Sequence, residues 1–83
     1  MVLPDKPVTL TPEQIADLNK QLSTMRHDIN NNLSLIMAAI ELAKLKPDAV
    51  TRMIATLSEQ PGKVTASMTK FSNEFEKAFG ITR

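Results

Sequence analysis

The sequence predicts an all-α protein: a two-helix antiparallel hairpin that dimerises into a four-helix bundle. Three observations lead there. Apolar residues recur at steps of three and four along two long segments. The stretch "KLKPDAV" breaks that pattern between them, because Pro47 cannot continue a helix interior. Finally, a lone antiparallel pair leaves much of each apolar stripe wet, and pairing two hairpins repairs this.

The N-terminal "MVLPDKPVTL" carries an early acidic residue and two prolines where a signal peptide needs an apolar run, so residues 1–10 read as a flexible arm. No later stretch is long and apolar enough to span a bilayer. These features predict a cytoplasmic protein. The helical domain is expected over residues 11–83. In "TPEQIADL", Thr11 suits the N-cap, Pro12 the first helical position, and Gln14 the third-position partner of a capping box.

From there Ile15, Leu18, Leu22, Met25, Ile29, Leu33, Ile36, Ile40 and Ala43 form the stripe of an amphipathic helix reaching about Lys46. Leu35, Met37 and Leu42 widen it, which predicts burial on more than one side in the second half. Pro47 and Asp48 then suit the first turn of a second helix. Its stripe is Val50, Ile54, Leu57, Pro61, Val64, Met68, Phe71, Phe75 and Ala78. The register runs through Pro61 and Gly62, favouring one continuous kinked helix, although an interior proline costs about 3 kcal/mol and the glycine about 1 more. A break at "EQPG" is the alternative. Gly80 suits the C-terminal cap. Each helix would be about 50 Å long at about 1.5 Å per residue, and their heptad-like spacing predicts a homodimer.

Composition excludes several functions. With 83 residues, no Cys, no Trp and no Tyr, the chain is at most one small domain without disulfides or thiolate metal sites. A single His leaves no nitrogen-rich ligand set, so neither a metal nor a bound cofactor is expected. The formal charge of +1 contains no long basic run, and the three Phe cluster near the C-terminus, which argues against nucleic acid. Asp17, Asp28 and Glu41 interrupt the polar faces, which argues against a membrane-surface helix pair.

The chemistry concentrates in "RHDINNNLSLI", residues 26–36. With Ile15, Leu22, Ile29, Ile36 and Ala43 at heptad position a, His27 falls at f, about 160° around the helix from Ile29 at about 100° per residue. It should face solvent. Asn31 lies one turn later on the same side, Ser34 occupies the next f position, and Thr24 and Arg26 flank the histidine. Most lone surface histidines do nothing. Here, however, three consecutive asparagines cost about 1.5 to 2 kcal/mol relative to alanine in a helix centre, which calls for compensation. Asn32, at position d, can be a buried register-setting amide; that leaves Asn31 beside His27 unexplained.

His27, Asp28, Asn31 and Leu33, with Ile36 as the next core position, resemble the H-box of the dimerisation and histidine phosphotransfer domain of sensor histidine kinases, in the variant reading H-[DE]-x-x-N-x-L. The likeness spans about residues 12–80, but its specific part is confined to the first helix. It implies a hairpin pairing into a four-helix bundle, with a phosphoaccepting histidine exposed midway along the first helix. By that resemblance His27 accepts and passes a phosphoryl group, Asp28 holds its second ring nitrogen, and Asn31 orients water for hydrolysis of a partner's aspartyl phosphate.

The residue types fit that chemistry. A neutral imidazole offers one nitrogen as nucleophile if the other is held in the right tautomer, and a carboxylate stabilises the positive charge that develops. Arg26, and more distantly Lys20, would offset phosphate charge. The sequence lacks the Gly-rich loop of an ATP-binding domain. It would therefore be either part of a histidine kinase or a stand-alone phosphotransfer protein, with the phosphoryl group coming from ATP through a separate kinase domain or from a phosphorylated response-regulator receiver. Asn30, Asn32 and Pro61 depart from many relatives. The competing expectation is a non-catalytic helical dimerisation and protein-interaction module in which His27 is incidental.

Overall fold

The computed structural model describes residues 2–82; Met1 and Arg83, the outer ends of the expected arm and helical domain, lie outside the described residues. Among the described residues every regular element is helical. Helix α1, Pro12–Leu45, is joined by one turn of 3₁₀ helix, Pro47–Ala49, to helix α2, Val50–Phe79.

Each end follows from local chemistry. The Thr11 hydroxyl accepts a hydrogen bond from the Gln14 N–H at 3.1 Å, and the Thr11 N–H donates to Gln14 Oε1 at 2.8 Å. This reciprocal box satisfies two donors that would otherwise be orphaned at the helix start. At the other end of α1, the Lys46 N–H donates to the Leu42 carbonyl at 2.8 Å, while Pro47 ends the helix. The Ala49 N–H closes the short turn on the Lys46 carbonyl at 2.8 Å, with its own side chain buried. Gly80 ends α2 at φ 67°, the left-handed region that glycine enters without a Cβ penalty.

Helix α2 continues through Pro61. Proline supplies no N–H to the preceding turn. Two side chains bond back onto that part of the helix: Ser58 Oγ donates to the Ile54 carbonyl at 2.8 Å and Gln60 Nε2 to the Thr56 carbonyl at 3.3 Å.

The seam between the helices is narrower than the apolar stripes. On α1 the inward residues follow strict a and d positions, with Leu18, Leu22, Met25, Ile29 and Ile36 half-buried and Asn32 and Ala39 buried. The pattern had placed Leu33 and Ile40 in the stripe, yet these are 47% and 40% exposed and Asn32 and Ala39 occupy the seam instead. The reason is geometric: an antiparallel partner follows the a/d rows, and positions 33 and 40 lie one residue past d. Leu35 and Met37 are also exposed, so in a single chain the second half of α1 is covered on one side only. On α2 the inward row is Met53, Leu57, Gln60, Val64, Ser67, Phe71 and Ala78. Ile54, Met68 and Phe75 from the predicted stripe remain 56%, 51% and 39% exposed.

The single chain therefore has little interior. Among the described residues the buried ones are Asn32, Ala39, Ala49 and Gln60, two of them polar. Its radius of gyration is 18.1 Å, against about 12 Å for a compact domain of this length. It exposes 6430 Å², whereas a compact monomer of this mass exposes about 4,900 Å². At the open end, Leu10, Ile15, Leu22, Phe71, Phe75 and Phe79 line an apolar groove. Phe75 and Phe79 stack there with ring centroids 4.5 Å apart.

Of the arm, residues 3–10 form no helix and all but the half-buried Leu10 are exposed. Val2 and Thr82 form an isolated antiparallel bridge, the Val2 N–H donating to the Thr82 carbonyl and the Thr82 N–H to the Val2 carbonyl at 2.9 Å. No described helix is long and apolar enough to cross a membrane.

Candidate functional site at His27

His27 sits near the middle of α1 with its side chain 84% exposed. The heptad register explains this, since position f points away from the a/d seam. Its Nδ1 lies 3.6 Å from Oδ1 of Asp28, whose side chain is 51% exposed. That distance brings the carboxylate to the near ring nitrogen but exceeds the hydrogen-bonding range of about 2.7 to 3.2 Å. Among the described residues the other ring nitrogen, Nε2, has no protein partner, and the side chain as a whole is exposed.

The remaining predicted site residues share the helix but not direct contacts. Arg26 and Asn31 are both exposed. Asn31 follows His27 at i+4, the spacing that places side chains on adjacent turns of one face. Asn30 is exposed as well, whereas Asn32 is buried at 8% exposure in the seam. Thus one asparagine of the three belongs to the interior and two to the surface that carries the histidine.

Asp28 has a second neighbourhood. Together with Gln21, Thr24 and Met25 of α1 and Ser67, Lys70 and Phe71 of α2, it lines a small cleft between the helices of about 30 Å³. Neither Ser67 nor Lys70 stands out by motif. Folding the hairpin between Pro47 and Asp48 and counting outward equally along both helices places Ser67 opposite Asp28 and Lys70 opposite Met25, and this is the signal that locates them.

Among the described residues no group of three or more His, Cys, Asp or Glu side chains could hold a metal ion. The site as a whole is an exposed imidazole with a carboxylate at one nitrogen, a neutral amide one turn away and a guanidinium next in sequence. That set can accept a group at nitrogen, stabilise the resulting charge and orient a water. No protein-family model, curated protein or solved structure matches the chain. The class that fold and site define is therefore an all-helical hairpin presenting one surface histidine.

Proposed function

We propose that this chain is a histidine phosphoacceptor module of two-component signalling, acting in the cytoplasm as a homodimeric four-helix bundle. The observation that carries the reading is the outward display of His27 with the Asp28 carboxylate at Nδ1. In the step envisaged, the Nε2 lone pair attacks the phosphorus of a receiver's aspartyl phosphate, or of the γ-phosphate of ATP held by a separate kinase domain. The N–P bond forms as the P–O bond breaks, and the electron pair leaves with the carboxylate or with ADP. The proton stays on Nδ1, where Asp28 offsets the imidazolium charge. Transfer to a receiver aspartate is the reverse. Arg26 would offset charge on the phosphoryl oxygens, and Asn31 would orient water for hydrolysis of a receiver's phosphate.

Dimerisation is supported by surface. The chain exposes about 1,500 Å² more than a compact monomer would, and a standard interface takes about 800 Å² from each partner. The uncovered apolar residues at Ile54, Met68 and Phe75 of α2 and at Ile15 of α1 are the natural contacts. The same apolar rows also favour a second reading, a dimerisation and interaction module without chemistry.

Incubating the chain with phosphorylated receivers and with ATP-loaded kinases separates the two. Uptake of acid-labile, base-stable phosphate by the wild type, and its loss in His27→Gln with dimerisation unchanged, supports phosphotransfer. No uptake from any donor in a broad panel leaves the interaction module.

A further inference from the structure

The inter-helix cleft lined by Asp28 also carries Lys70, which has no part in the phosphoacceptor chemistry. Asp28 stands between two demands. Its Oδ1 lies 3.6 Å from His27 Nδ1, too far for a hydrogen bond. It also lines the inter-helix cleft together with Thr24, Ser67 and Lys70, the one cation among the described residues that line it. At about 30 Å³ the cleft has room for roughly one water. A water there would find several polar partners, so an ammonium and a carboxylate that do not touch can still pull on each other through it.

We propose that Lys70 is a positioning residue that acts on His27 through Asp28. The Lys70 ammonium draws the carboxylate towards the cleft and away from Nδ1. When Asp28 turns to the ring, it accepts from Nδ1–H and leaves the Nε2 lone pair free to attack. When Lys70 holds it, the ring can place its proton on Nε2, and the nucleophile is lost. Because Lys70 is on α2 and Asp28 on α1, any shift of one helix along the other changes this competition. The hairpin geometry thereby sets how nucleophilic the histidine is. This inference rests on the reading of His27 as phosphoacceptor.

The chain contains one histidine, so ring-nitrogen NMR of the full-length protein reports its tautomer without ambiguity. Measured in alkaline buffer, Lys70→Met should raise the ratio of Nδ1–H to Nε2–H by about 1.5- to 5-fold, the range set by exposed ion pairs. Lys70→Arg should restore the wild-type ratio. In an Asp28→Ala background the Lys70 substitution should have no effect. An unchanged ratio in Lys70→Met, or an equal change with and without Asp28, overturns the proposal. Phosphate uptake is read separately: a chain that takes no label yet shows the Asp28-dependent shift loses the phosphoacceptor reading and keeps this linkage.

Discussion

Replacing Gln60 with methionine should stabilise the protein by about 1 to 2 kcal/mol. Gln60 is 2% exposed, and its Oε1 has no hydrogen-bond partner among the described residues. Burying an amide acceptor without a partner costs about 1 to 3 kcal/mol. The single bond the side chain makes, from Nε2 to the Thr56 carbonyl, is long at 3.3 Å, and losing it removes about 0.5 to 1 kcal/mol. Methionine matches glutamine in length and in helix propensity, so volume and backbone terms nearly cancel. The gain corresponds to a rise in Tm of about 5 to 15 °C for a domain of this size. Thermal unfolding followed by circular dichroism, at one fixed protein concentration because a dimer's Tm depends on it, measures the effect. Destabilisation by about 1 kcal/mol or more would refute the reasoning, since it means that Oε1 does have a partner in the folded protein.

Other substitutions probe individual pieces. Gly62→Ala should add about 0.5 to 1 kcal/mol in urea unfolding, because a Cβ there meets nothing within 4 Å and alanine is the better helix former. Gly80→Ala should cost about 1 kcal/mol in the same assay, since φ is 67°. Thr11→Ala should remove about 1 kcal/mol and fray the first turn of α1 in amide exchange, through loss of the capping box. Phe75→Glu, at a half-exposed ring on the uncovered row of α2, should convert the expected dimer to monomer in sedimentation velocity while leaving helix content near wild type; an unaltered dimer places the interface elsewhere.

Much of the fold was legible because its determinants are local. Thr11, Pro12 and Gln14 fix the start of α1, Pro47 its end and Gly80 the end of α2, each through backbone bonds that the residue types dictate. Continuity through Pro61 was legible from the unbroken apolar register on either side of it. The seam was legible at Asn32, whose d position marked it as a buried amide, but not at Ala39: Leu33 and Ile40 read as core by apolarity alone, and only the antiparallel packing leaves them exposed. The outward position of His27 followed from its heptad place. The part played by α2 was hidden, because Ser67 and Lys70 join Asp28 only once the hairpin is closed. The Val2–Thr82 bridge likewise joins the two ends of the sequence, and no local pattern announces it.

The most direct measurement is to map the modified residue. The chain is incubated with phosphorylated receivers and ATP-charged kinases, digested under alkaline conditions that preserve phosphoramidates, and its peptides are sequenced by mass spectrometry. One phosphorylated position is expected, His27, with occupancy falling sharply in Asp28→Ala. Phosphate found on a serine, threonine or aspartate instead, or on no residue of this chain with any donor, would contradict it.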